Sequence, residues 1–456
     1  MRGTLAQLVK AIPGARLVGP DASFAGLSTD SRKVDAGALF VALVGETFDA
    51  HDFLDQVAAR DVAAVVVSRL PDGWTLPAIV VPDTLVALGR IAHAWRGQFQ
   101  IPVIGVTGSN GKTTVKEMIA SILAAAVGED ARLATQGNLN NEIGVPLTLF
   151  RLDASHRAAV VELGMNHPGE IGRLAAIATP TVGMVNNAQR EHQEFMHTVE
   201  AVARENGSVL QALPDDGVAV FPGDDVYTDL WRGLASCKTM TFGLAANCDV
   251  HATHTASDFG SDLHVTAPGA EYRIKLAAAG EHNVRNALAA VACALGAGID
   301  QAAIVRGLEA FAPVGGRLQR KQASNGATVI DDTYNANPDS MRAAIDVLAA
   351  YPAPRILVVG DMGEVGAQGK EFHEEIGAYA QQRGIETVLA TGELARHLAA
   401  SGARHYEQFD ELLAALDEKL GRNTNSTVLV KGSRFMKMER VVQHLTGSTT
   451  IGKGAH

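Results

Sequence analysis

The chain has 456 residues, which suggests about three domains, and its 47% hydrophobic and 20% charged residues exclude a disordered tail protein or a fibre. Lysine plus arginine is 39 against 50 aspartates and glutamates, a formal charge of −11. That balance, with only 5% aromatic residues, argues against a nucleic-acid partner, which needs a basic surface and stacking rings. Cys237, Cys248 and Cys293 fit neither a disulfide framework nor a zinc site, so reduced thiols in a reducing cytoplasm are expected. The N-terminal apolar stretch is broken by Gln7, Lys10 and Pro13, so no signal peptide is expected. No apolar run reaches the roughly 18 residues of a membrane span, so no membrane insertion is expected either.

In chain order, apolar runs at 62–68, 77–82, 102–108, 158–164 and 181–187 predict buried strands. Further runs at 327–333, 355–361, 387–392 and 426–432 predict strands as well. Alanine-rich helical patterns lie at 114–127, 341–351 and 409–420. This alternation, with strands apolar on both faces, predicts an α/β fold built on parallel sheets. Three domains follow: 1–84, ending at Pro82-Asp83; 85–313, opening with a helix; and 314–456, entered through a hinge at Pro313-Val314-Gly315-Gly316. The tail of the middle domain, 237–276, reads as short strands with turns and predicts an antiparallel flap.

The strongest motif follows the strand that ends at Thr107. Gly108-Ser109-Asn110-Gly111-Lys112-Thr113-Thr114 opens an amphipathic helix, the setting in which backbone N–H groups close around phosphate oxygens. Lys112 would reach the β- and γ-phosphates of ATP, and the Thr113 hydroxyl would help to hold Mg²⁺. The spacing departs from the standard phosphate loop, because Val106 stands where its first glycine would fall. A tight turn that happens to read GKTT is the competing explanation. Glu162, at a strand end facing the nucleotide crevice, is a carboxylate candidate, and His192 follows the next strand. Taken singly, these two read as a rim carboxylate and a solvated loop histidine. In the last domain Asp331, Asp332, Tyr334, Asn335 and Asn337 follow a strand. They suit ribose hydroxyls, an amine nucleophile or a peptide backbone, or they form an ordinary Asp/Asn-rich turn.

Together and in this order, the motifs resemble the Mur ligase family of ATP-dependent amide-forming enzymes. The tracts are STDSRKVDAGALFVALVGETFDAHDF (28–53), TGSNGKTT, TQGNLNNEIGVPLT (135–148), VVELGMNHPGEI (160–171), NAQREH (187–192), GEHNVRNALAA (280–290), GGR (315–317) and DDTYNANPDSM (331–341). DDTYNANPDSM, GDMGEVG and KGSRFMKME are similar to the tracts of members that add D-alanyl-D-alanine to a UDP-muramoyl-tripeptide. The resemblance implies a small α/β N-terminal domain for the UDP sugar, a central ATPase-like parallel sheet and a Rossmann-like C-terminal domain for the dipeptide. It implies a bacterial cytoplasmic monomer using ATP and Mg²⁺ to form an acyl phosphate. By resemblance, Lys112 contacts phosphates while Thr113, Glu162 and His192 surround Mg²⁺. Asn283 and Asn286 face adenine, Arg317 the γ-phosphate and Asp332 the ribose. Asn335, Asn337, Lys431 and Ser433 lie near the incoming dipeptide, Asn138, Asn141 and Asn166 near the muramoyl peptide, and Ser31 and Arg32 near the uridine diphosphate. Many members carry a carbamylated lysine downstream of the NAxxEH histidine; Asn206 stands there, and Glu205 points about 100° away on a helix. No carbamylated lysine is therefore expected. A folylpolyglutamate- or cyanophycin-synthetase-like ligase, and a nucleotide switch that hydrolyses ATP alone, are the alternative functions. Finally, Lys112 and Arg317 lie in different domains, so the ATP site is complete only when the domains meet, and an open unliganded form is expected.

Overall fold

The computed structural model describes residues 1–191, 193–421 and 424–447. Its strands form four sheets. The N-terminal region holds a two-stranded pair, Arg2–Thr4 with Ser23–Ala25, and a five-stranded sheet. The latter runs in the order Arg16–Val18, Ala78–Val80, Ala64–Val67, Leu39–Val41, Leu27–Ser28. From Ala78–Val80 onward its pairings are parallel. The apolar run expected at 62–68 is a strand at Ala64–Val67 with every residue buried, as continuously apolar strands in covered parallel sheets are.

The central sheet has nine strands. In spatial order these are Ala270–Leu276, Gly260–Ala267, Val250–Ser257, Lys238–Gly243, Val218–Pro222, Val182–Val185, Val103–Thr107, Ala158–Glu162 and Arg132–Ala134. Val103–Thr107 lies between Ala158–Glu162 and Val182–Val185, parallel to both. The register sets Glu162 opposite Val106 and Val185 opposite Thr107, so three adjacent strands release their loops at the same carboxyl edge.

The expected flap at 237–276 is corrected by this sheet. Lys238–Gly243 pairs in parallel with Val218–Pro222, and the antiparallel strands after it continue the same ladder. Their inward residues Val250, Leu263, Val265, Tyr272 and Ile274 share one apolar core with Met118 and Leu288. A flap would have left that face wet.

The C-terminal sheet has six strands: Gln319–Gln322, Thr328–Asp332, Thr427–Lys431, Arg355–Val359, Thr387–Thr391 and Arg404–Tyr406. All pairings but the first are parallel. Helices cover both faces with two apolar clusters of their own. By contrast, one apolar cluster spans the N-terminal and central regions, from Leu5 and Leu39 to Leu174 and Trp231. The helix Thr84–Arg96, capped by Asp83, supplies Leu88, Ile91 and Trp95 to it. Among the described residues no helix is long and apolar enough to cross a membrane.

Candidate functional site

A cavity of about 940 Å³ opens where the carboxyl edge of the central sheet faces that of the C-terminal sheet. The phosphate loop forms its floor. Gly108 has φ +136° and Gly111 φ +79°, conformations that L side chains rarely adopt. A Cβ on Gly108 would come within 2.9 Å of Asn186, and one on Gly111 within 2.5 Å of Asn286 Oδ1, so glycine is required twice over. The helix Lys112–Val127 starts directly behind, with its N-terminus aimed at the cavity.

Neighbouring loops hold the phosphate loop through amides. Asn187 Oδ1 accepts from Asn110 N–H at 2.9 Å, and Asn186 Nδ2 donates to Asn110 O at 2.8 Å. The same Asn186 amide reaches Asn286 Oδ1 at 2.9 Å, and Asn286 Nδ2 donates to Asn283 Oδ1 at 3.1 Å. Lys112 folds back over the loop. Its ammonium donates to Gly108 O, to Ser109 O at 3.0 Å and to Glu191 Oε2 at 3.3 Å.

Glu162 is buried at its strand end. Its Oε1 accepts from Thr113 Oγ1 at 3.2 Å and from Asn140 Nδ2 at 2.8 Å. Oε2 is buried without any hydrogen-bond partner among the described residues. An orphaned carboxylate oxygen beside a threonine hydroxyl at a phosphate loop is costly unless something binds it, and a hard cation with oxygen ligands suits it. His192, the third expected metal ligand, lies outside the described residues. Among those described, no cluster of three or more His, Cys, Asp or Glu side chains forms a metal centre.

The opposite wall belongs to the C-terminal sheet. Asp332 and Lys431 are opposite in register, and Lys431 Nζ reaches Asp332 Oδ2 at 2.6 Å and Asn335 O at 2.8 Å. Arg317 lies over the Tyr334 ring at 4.1 Å and faces the same cavity as Lys112. Asn337 caps the helix Pro338–Ala349 and crosses the gap, with its Nδ2 donating to Asn110 Oδ1 at 2.9 Å. The central and C-terminal domains therefore meet across this cavity, through Asn110 and Asn337.

Most of the expected residues share this one cavity. Ser109 to Thr114, Asn138, Asn141, Glu162, Asn166, Asn283, Asn286, Arg317, Asp332, Asn335, Asn337 and Lys431 line it. Others do not. Gly108 shapes the loop from behind. Ser433 is buried, accepting from Gly363 N–H and donating to Ala336 O at 3.3 Å, so it braces two loops. Ser31 and Arg32 lie outside the cavity, and Arg32 pairs with Asp30 at 2.9 Å. Asn206 is buried in the helix Val199–Gln211, its Oδ1 accepting from Thr107 Oγ1 at 2.8 Å. Glu205 is committed elsewhere, accepting from Gly169 and Ile171 N–H groups at 2.8 and 2.9 Å.

Sequence reasoning missed Asn140, Gln189, Arg190, Glu191 and Asp339, all of which line the cavity. Asn140, Gln189, Arg190, Glu191 and Asp339 do sit inside the motif tracts, but nothing in residue type or spacing signals which neighbour each one meets.

Comparison with known proteins agrees along the whole length. Residues 23–96 match the family model of the Mur ligase family catalytic domain, 106–294 the Mur ligase middle domain, and 316–434 the Mur ligase glutamate ligase domain. A UDP-N-acetylmuramoyl-tripeptide–D-alanyl-D-alanine ligase of Escherichia coli K12 is 40% identical over 452 residues, covering 98% of this chain and 99% of that one. A MurF structure from Acinetobacter baumannii superposes with a TM-score of 0.92 at 35% identity, covering 98% of this chain and 99% of the other. MurF ligase from Thermotoga maritima in complex with ADP gives 0.84 at 26% identity, covering 92% and 97%.

Proposed function

Since the chain belongs to the Mur ligase family, we propose that it joins D-alanyl-D-alanine to UDP-N-acetylmuramoyl-tripeptide, at the expense of ATP, in peptidoglycan precursor synthesis. The observation that carries this reading is the shared cavity. Lys112, Thr113 and Glu162 from one sheet face Arg317, Asp332 and Lys431 from another across a single space.

A peptide carboxylate is a poor electrophile at neutral pH. Transfer of the ATP γ-phosphoryl group gives an acyl phosphate, which the dipeptide amine then attacks. The protein positions the reactants and offsets crowded negative charge. In this assignment Lys112 leaves its carbonyl and Glu191 partners for the β- and γ-phosphates, while loop N–H groups from Gly108 to Thr114 close around them. Arg317 meets the γ-phosphate from the other domain. Asp332 receives the ribose, and Asn283 and Asn286 the adenine side. Thr113, the orphaned Glu162 Oε2 and His192 are the Mg²⁺ ligands we assign. Held by these residues, Mg²⁺ would offset the negative charge that develops on the phosphate oxygens. Asn138, Asn141 and Asn166 are assigned to the muramoyl peptide, Ser31 and Arg32 to the uridine diphosphate end, and Asn335, Asn337 and Lys431 to the dipeptide. Ser433, braced between two loops, supports the dipeptide side from behind. We also propose domain limits of 1–84, 85–313 and 314–456, a division supported by the separate sheets of the three regions. We also propose that the enzyme is a monomer in the bacterial cytoplasm.

Release of ADP, measured with a panel of UDP-muramoyl peptides with and without D-alanyl-D-alanine, tests this directly. A ligase forms ADP steadily only with both substrates. ADP formation from ATP alone would identify a nucleotide switch. Turnover with a folate as the carboxylate substrate and glutamate as the amine, with no UDP-muramoyl peptide, would identify a folylpolyglutamate-like ligase.

A further inference from the structure

Residues 189–191 are consecutive, yet they hold two different domains. Gln189 grips the phosphate loop: its N–H donates to Ser109 Oγ at 2.8 Å, and its Oε1 accepts from Asn110 Nδ2 at 2.6 Å. Glu191 grips the loop's lysine, with Oε2 3.3 Å from Lys112 Nζ. Arg190, between them, reaches the C-terminal domain. Its Nη2 and Nε donate to Asp339 Oδ1 at 2.7 and 3.1 Å, and its backbone N–H donates to Asp339 Oδ2 at 2.8 Å. Its Nη1 and Nη2 donate to the two Glu375 oxygens at 2.7 and 3.1 Å, and its guanidinium lies 5.4 Å from the Phe372 ring centre.

Asp339 stands in the first turn of the helix Pro338–Ala349, and Glu375 in the helix Gly369–Gln382. A planar guanidinium that meets one carboxylate through two donors and a second through two more fixes direction as well as distance. Burial works against the charge of Arg190, but the hydrogen bonds to Asp339 and Glu375 outweigh it and raise its pKa. Arg190 in turn holds Glu375 below the usual carboxylate range. The Asn110–Asn337 pair also ties the domains, but it is neutral and does not touch Lys112.

We propose that Arg190 is a positioning residue for phosphoryl transfer: docking of the C-terminal domain on its guanidinium fixes residues 189–191, and these set Asn110 and Lys112. The proposal rests on reading this loop as the ATP site. It makes the position from which Lys112 swings out to the phosphates depend on whether the domains are docked, because Glu191, next to Arg190, holds that lysine at rest.

The test compares Arg190→Gln, Arg190→Lys, Asp339→Asn, the Arg190→Gln/Asp339→Asn pair and Lys112→Ala in the full-length enzyme. It reads kcat, the KM of each substrate and the thermal midpoint. Arg190→Gln is expected to lower kcat at least about tenfold, as misplacement of a reacting group does. The thermal midpoint and the KM for the UDP-muramoyl peptide should stay near wild type. Arg190→Lys, which keeps the charge but loses the fork, should recover part of the rate. The double variant should be no slower than Arg190→Gln, because both changes break one contact. Normal kcat in Arg190→Gln beside an inactive Lys112→Ala would overturn the Arg190 role and leave the ATP site standing. Normal kcat in both would overturn the site itself. A lowered thermal midpoint with unchanged kcat, or fully additive losses in the double variant, would also overturn the proposal, reducing Arg190 to a structural contact.

Discussion

Between the N-terminal and central sheets the contact is a continuous apolar core, in which Leu5, Leu39, Leu88, Ile91, Leu174 and Trp231 are all fully buried. Between the central and C-terminal sheets the contact is mostly polar. Arg190 meets Asp339 and Glu375, Asn110 meets Asn337, and Arg320 meets Asp258 at 2.9 Å. The apolar part of that junction is small: Phe259 and Ala279 lean on the C-terminal core, with Phe259 and Tyr351 ring centres 6.3 Å apart. Parting the first pair of sheets would expose a core. Parting the second exchanges protein hydrogen bonds for water at little net cost, and polar interdomain contacts are the kind that open and close. The proposed ATP site sits at the second junction, which can admit substrates and then exclude the water that would destroy an acyl phosphate.

Replacements on the two sides should therefore fail in different ways. The largest effect on rate is expected at the polar junction, where Lys112→Ala should remove about 3 kcal/mol of transition-state stabilisation, roughly a hundredfold in rate, with little change in stability. Steady-state ADP release and a thermal melt check this together. Near-normal turnover would remove the phosphate loop from the mechanism. At the apolar junction the reverse is expected. Leu88→Ala should cost about 2–5 kcal/mol in denaturant unfolding, while the activity of the folded fraction stays close to wild type. A loss of activity without a loss of stability would mean that the shared core does more than hold two sheets together.

The smallest effect concerns Asn206, a polar residue buried in the central region. It stands where the resemblance would place a carbamylated lysine; its Oδ1 accepts from Thr107 Oγ1, and its Nδ2 is buried without a partner among the described residues. Depleting CO₂ should leave the rate unchanged. A loss that bicarbonate restores would place a carbamylated lysine elsewhere in the chain.

The comparison also separates what could be read in the residues from what could not. The strand expected at 102–108 is found at Val103–Thr107 and that at 426–432 at Thr427–Lys431, because strands buried on both faces must be apolar throughout. The glycine loop was legible because Gly108 and Gly111 need backbone angles that other residues resist. The continuation of the central sheet through 250–276 was not, since pairing to Lys238–Gly243 is a property of the folded edge and not of the strands themselves. Ser433 comes near the dipeptide only through the resemblance, since a serine after a strand reads the same whether it faces a cavity or braces a neighbouring loop. Arg190 was legible only as one letter of a motif. Its partners lie 149 and 185 residues away, beyond any local pattern.

Small-angle scattering of the free enzyme across a range of salt, and again with ATP, Mg²⁺ and UDP-muramoyl-tripeptide, tests the contrast between the junctions most directly. Screening weakens half-exposed ion pairs and leaves apolar burial intact. The radius of gyration of the free enzyme should rise with salt by an amount that fits movement of the C-terminal domain alone, and ligands should return it to the docked value. A radius that stays constant with salt and with ligands, or an expansion that requires the N-terminal domain to leave the central one, would contradict the account.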